Sequence, residues 1–237
     1  TILALVPMAA IEVRAPLPPR GVEFAMMKAL RTSPVSVLAC LLNGLVATAF
    51  ITVGPLYGER IGLAQGQIIL LMACVTLGGL FLQWPIGYAS DRIDRLYALI
   101  GLGAGTLAIA AVLVSVDRDT PFALLCVLFA VFGGLAESLY PVAVAHANDR
   151  AVSADYVALS STLLFVWAIG SAVGPTAGTL AMQLTTPAAF FAYTIVLTLA
   201  FTVFGLWRLS RRRLLIQTYP NPSTHRNQRA SHTKGVN

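Results

Sequence analysis

The sequence predicts an all-α integral membrane fold with six transmembrane helices, and three observations predict it. Six apolar stretches, each near or above the roughly 20 residues that a helix needs to cross a bilayer, follow one another with short polar breaks. Only 11% of the residues are charged and 57% are hydrophobic, against roughly 25% charged in soluble domains. Fourteen of the sixteen lysines and arginines fall in alternate breaks. At a mean hydropathy of +0.77 the chain has more apolar surface than a core encloses in water. A bilayer solvates that surface directly, provided the backbone polar groups are satisfied within helices.

The elements follow in order. Thr1–Ala10 is apolar but stops after ten residues, so it reads as the tail of a preceding span. Residues 11–33 form a linker. Three prolines between Arg14 and Arg20 break regular structure, and Val22–Arg31 reads as a short amphipathic or basic segment at the membrane interface. The spans are Pro34–Tyr57, Leu63–Ser90, Leu96–Val116, Pro121–Ala147, Tyr156–Gln183 and Pro187–Trp207. The longest exceed an upright crossing and are expected to tilt, kink or overrun the hydrocarbon. Pro85, Pro141 and Pro175 lie inside three of them, where a missing N–H and a ring clash bend a helix. The six-helix body covers residues 34–210, and residues 211–237, polar and basic without apolar periodicity, read as a disordered tail.

Orientation follows from the basic residues, which are retained on the cytoplasmic side. Arg14, Arg20, Lys28, Arg31, Arg92, Arg95, Arg150 and every basic residue from Arg208 onward lie on one side, while Arg60 and Arg118 lie on the other. Both termini are therefore expected in the cytoplasm, with the chain in a plasma membrane, the inner membrane of a bacterium. The net charge of +6 is then a topology signal and not a nucleic-acid footprint.

Covalent chemistry finds no footing. Cys40, Cys74 and Cys126 lie in three different spans without paired spacing or a neighbouring histidine, and read as small packing residues. No metal site, nucleophilic triad or phosphate-cradling loop assembles from the remaining residues, so neither an enzyme nor a cofactor is expected.

Two patterns carry more information. Gly87-x-x-x-Asp91-Arg92-x-x-Arg95 occupies the break between the second and third spans. Gly87 there is expected to let the second span pack closely on a neighbour. Asp91 is suited to accept from the N-terminus of the fifth span near Asp155, and Arg92 and Arg95 to pair with Asp149 or with lipid headgroups. Either a conformational latch or a solvated, topology-setting turn satisfies this pattern. The second pattern, Gly170-x-x-x-Gly174-Pro175-x-x-Gly178, adds a proline to a face of small residues that lets two helices approach. Gly101/Gly105 reads as generic helix packing.

Together these patterns resemble the cytoplasmic signature and the glycine–proline signature of the major facilitator superfamily, and they sit where the second and fifth helices of a six-helix half belong. Gln83-Trp84-Pro85-Ile86-Gly87 and Leu139-Tyr140-Pro141-Val142-Ala143 are also similar to the second half of the bacterial YcaD-type transporters, the resemblance running from Pro34 to Gln183. It implies two inverted repeats of three helices, forming the C-terminal half of a twelve-helix transporter that works by alternating access. It also implies a missing N-terminal half as partner. Asp94 and Leu96 depart from the signature, standing where a glycine and a second basic residue are usual.

Glu137 lies deep in the fourth span, where a charge costs about 2.5–3.5 kcal/mol on insertion scales. Such an acid either exchanges protons along a transport path or stays protonated and hydrogen-bonded to a neighbouring helix. The resemblance places the first and fourth spans around a central cavity, which makes Asn43, Glu137 and Tyr140 the candidate solute and proton site. Gln83, Trp84 and Trp167 read instead as packing or lipid contacts. The expected activity is proton-coupled movement of a small organic, amphiphilic solute. A truncated, non-transporting membrane scaffold is the alternative.

Overall fold

The computed structural model describes residues 26–116, 120–151 and 156–218, the last seven as backbone only. The expected preceding span at residues 1–10, most of the linker, residues 117–119, Asp155 and the chain after residue 218 lie outside the described residues.

Seven helices make up the described chain: α1, Met26–Thr32; α2, Pro34–Arg60; α3, Gln65–Arg92; α4, Arg95–Val114; α5, Phe122–Asn148; α6, Tyr156–Leu184; and α7, Ala189–Thr218. Helices α2 to α7 are long and apolar enough to cross a membrane; the first five coincide with the expected spans to within a few residues, and the sixth starts as expected but runs on past Trp207. Helix α1 lies inside the stretch read as linker, and α7 continues to Thr218 past the boundary drawn at residue 210. The 28 residues of α3 correspond to about 42 Å of helix at 1.5 Å per residue, well beyond the hydrocarbon thickness. The prolines inside α2, α3, α5 and α6 leave each helix continuous.

The turns are built from local chemistry. Gly62, at φ 89°, ends α2, and the Leu63 N–H reaches back to the Gly58 carbonyl at 3.0 Å, the left-handed closure that favours glycine. Helix α3 starts where the Gln67 side-chain oxygen accepts from the Ala64 N–H at 2.9 Å. Helix α4 starts at Asp94, whose carboxylate accepts from the Leu96 N–H at 3.0 Å.

Helix pairing is set by where glycine lets backbones meet. Helices α3 and α5 run parallel in close contact, with Gly78 against the Ala130 backbone and a Cβ on Gly134 falling 2.7 Å from the Gly78 carbonyl oxygen. Helices α2 and α6 meet the same way, and α4 pairs with α7. Exchanging spans one to three with four to six maps α3·α5 onto α6·α2 and α4·α7 onto itself, as two inverted three-helix repeats require. Helix α2 is the most enclosed span and α3 the least. The core at the Arg60 end is an aromatic cluster in which the Phe50 ring lies 4.6 Å from Phe132 and 5.0 Å from Phe129, geometry in which edge and face complement one another.

One feature has no counterpart in the sequence reading. Helix α2 is α-helical over Pro34–Asn43 and Ala49–Arg60 but π-helical over Gly44–Thr48. This widened turn is the surface on which α6 packs. A Cβ on Gly170 falls 2.5 Å from the Leu41 carbonyl oxygen, one on Gly174 falls 2.6 Å from the Leu45 carbonyl oxygen, and Gly44 abuts the Trp167 carbonyl. Gly178 continues the seam towards Phe190 and Ala49.

Candidate functional site

At the middle of the bundle Asn43 is 4% exposed, the last α-helical residue before the π-helical turn of α2. Its Nδ2 donates to the Ala136 carbonyl of α5 at 2.7 Å, and its Oδ1 accepts from Trp167 Nε1 of α6 at 2.8 Å. One amide thus ties three spans together. Trp167 in turn meets the Tyr140 ring edge to face, with centroids 5.9 Å apart. Asn43, expected as a direct solute contact, is enclosed and engaged, and the surface it organises is the Tyr140–Trp167 pair.

Glu137 follows Ala136 directly and is half-buried. Tyr140 and Pro141, three and four positions on, share its face of α5. Across from it lies Gly79 of α3, where an added Cβ would sit 3.6 Å from Glu137 Cγ. Among the described residues no hydrogen bond or ion pair is made to the Glu137 carboxylate. The three predicted residues lie together, with Glu137 and Tyr140 at the surface and Asn43 behind them.

Two cavities flank α3 on either side of Glu137. At the Arg60 end a cavity of 710 Å³ opens between α2 and α3, lined by Thr52, Glu59, Gln65 and Met72 among others. At the Asp91 end a smaller one of 140 Å³ lies between α3 and α5, lined by Gln83, Asp91, Ser138 and Pro141 among others. Gln83, read as packing, is a lining residue. Trp84, read the same way, is 79% exposed and stacks only on Tyr88.

The charged turn is organised by Arg95. Its guanidinium donates to Asp91 Oδ1 at 2.7 Å and to Asp149 Oδ1 at 3.1 Å, joining the ends of α3 and α5. Asp91 is thus met by a side chain of the same turn; α6 is described from Tyr156, while Asp155, beside the helix start expected to donate to Asp91, lies outside the described residues. Arg92 does not join Asp149; its guanidinium lies 4.1 Å over the Tyr88 ring. Among the described residues a Cβ on Gly87, expected to pack on a neighbour, meets nothing within 4 Å, and the same is true of Gly101. Leu96, standing in place of a basic residue, is 1% exposed and belongs to the core.

Trp167 and the π-helical turn are what the sequence reading missed. Trp167 acquires its place from Asn43 and Tyr140, on two other spans, and no local signal carries that. The turn had one sign, Gly44 beside the polar Asn43 in mid-span, which a search for apolar periodicity passes over.

Comparison with known proteins agrees with this architecture. The chain is 29% identical over 201 residues to the uncharacterized MFS-type transporter YcaD of Salmonella typhi, covering 85% of this chain and 49% of that protein. It is 31% identical over 159 residues to the proteins of the same description from Salmonella paratyphi B and Salmonella newport, covering 67% of this chain and 40% of each. The chain thus spans about half the length of the curated relatives it matches. The sequence profile of the Major Facilitator Superfamily matches residues 14–234. A six-span bundle with inverted-repeat pairing and a match over nearly its whole length lead to one conclusion: the chain belongs to the major facilitator superfamily.

Proposed function

We propose that this chain is the C-terminal half of a proton-coupled secondary transporter for a small organic solute, with Glu137 as the proton carrier. The observation that carries the reading is the Glu137 carboxylate, half-buried in mid-span and unpartnered among the described residues, beside an aromatic pair held by Asn43. An acid at that depth is expensive and is retained where it faces a cavity or a proton path. Asn43 positions the aromatic pair, Tyr140 contacts the solute, and the glycine seam of Gly170, Gly174 and Gly178, with Pro175 beside it, keeps α2 and α6 moving as one body. The Asp91–Arg95–Asp149 pairs latch the cytoplasmic ends of α3 and α5, and a matching N-terminal half closes the cavity.

The test uses proteoliposomes of the longest reading frame that contains this chain, with an imposed pH gradient and a panel of organic solutes. Glu137→Gln is expected to insert and fold as before and to lose gradient-driven accumulation. Accumulation by the variant that still follows the gradient removes Glu137 from the coupling.

A further inference from the structure

Three carboxylates, on α2, α3 and α5, are spaced along the length of α3. Reading inward from the Arg60 end, the first cavity carries Glu59 and reaches Met72. Gly79, seven residues on and about 10 Å further along the helix at 1.5 Å per residue, faces Glu137. The second cavity begins at Gln83 and ends at Asp91. The two cavities share no lining residue, and Glu137 stands in the interval between them. Glu59 thus lines the first cavity, Asp91, paired with Arg95, lines the second, and Glu137 is the acid in the interval.

The cations stand at the ends of the spans, Arg95 among them pairing with Asp91 at the end of the second cavity. Among the described residues, neither cavity has a lysine or arginine in its lining. In the spans lysine and arginine occur only near the ends. Arg60 donates to the Met182 carbonyl at 2.7 Å, Arg95 is held by Asp91 and Asp149, and Arg92 lies on Tyr88. A charge in a low-dielectric setting is stabilised by a counter-charge and destabilised by a like one. Tyr140, one turn from Glu137 on α5, and Trp167, which meets Tyr140 edge to face, add rings whose faces attract cations and accept apolar groups.

We infer that this half of the pathway binds a monovalent organic cation with a bulky apolar body, the positive charge lying at Glu137 and the apolar body against Tyr140 and Trp167. The inference rests on the reading of Glu137, Tyr140 and Trp167 as a solute site. It adds the sign of the solute and does not depend on proton coupling.

Two ions of nearly identical shape and opposite charge, tetraphenylphosphonium and tetraphenylborate, decide it. Each is titrated in radiolabelled form against the chain in neutral-lipid nanodiscs, with empty nanodiscs subtracted. Saturable binding of the phosphonium is expected, weakened at least tenfold by Glu137→Gln and less by Glu59→Gln, with no saturable binding of the borate. Saturable borate binding of similar strength overturns the inference on the unmodified chain. So does absence of phosphonium saturation, or phosphonium binding unchanged by Glu137→Gln. The two readings fail separately. Phosphonium binding without gradient-driven flux keeps the cation site and removes proton coupling, while gradient-driven flux with no preference between the two ions does the reverse.

Discussion

Asp94 replaces the glycine usual in this turn and accepts the Leu96 N–H that opens α4, satisfying a donor that a helix start otherwise leaves without a partner. Removing such a cap costs about 1 kcal/mol with alanine but only a few tenths with glycine. Asp94→Ala is therefore expected to lower the unfolding free energy of the detergent-solubilised protein by about that amount, and Asp94→Gly to change it little; equal losses in an SDS titration would show that the cap is not the reason. Arg95 works differently. Its acidic partners are more than half exposed, at 66% and 56% for Asp91 and Asp149, and exposed pairs contribute only about 0.2–1 kcal/mol. Its bonds fix where the ends of α3 and α5 lie more than whether the bundle folds.

Glycine has two separable uses in these helices. At Gly78 and Gly174 an added Cβ runs into the backbone of a neighbouring helix, while at Gly87 it meets nothing within 4 Å. Overpacking a close contact costs about 1–3 kcal/mol. Gly78→Val and Gly174→Val are expected to lose at least that much in thermal stability assays converted to free energy. Gly87→Ala should leave stability unchanged or raise it by up to about 1 kcal/mol, the helix-propensity difference. A matching loss at Gly87 would mean that another helix packs there. The sequence made the spans readable because a bilayer demands long apolar runs, and it made the small face of α6 readable because glycines repeat every fourth residue. It did not say that the face meets α2. It did not separate Gly87 from Gly78, because a glycine in a motif looks the same whether it touches a helix of this bundle or open space.

Across the whole bundle the basic residues divide by end: Arg60 lies at one, and Arg92, Arg95 and Arg208 at the other. With Cys40, Cys74 and Cys126 replaced, a single cysteine at position 60 is expected to react with a membrane-impermeant maleimide on intact cells, and one at position 92 only after permeabilisation. The reverse pattern inverts the orientation. Glu137 was legible as a candidate because any acid in an apolar run stands out. The place of Trp167 was not, since it depends on side chains more than twenty residues away in sequence, on α2 and α5.

The π-helical turn at Gly44–Thr48 gives α2 a spare residue. A turn of this kind holds one residue more than an α-helical turn, so shortening the chain by one position inside it restores ordinary winding and leaves both flanks facing as they do now. Removing Ala47 is expected to preserve membrane insertion and most of the thermal stability. Removing Val53, in the ordinary helix beyond, rotates everything downstream by about 100° and turns Tyr57 away from the aromatic cluster. The melting temperatures of the two shortened proteins, measured side by side, check whether α2 tolerates a change of length at one place and not at the other.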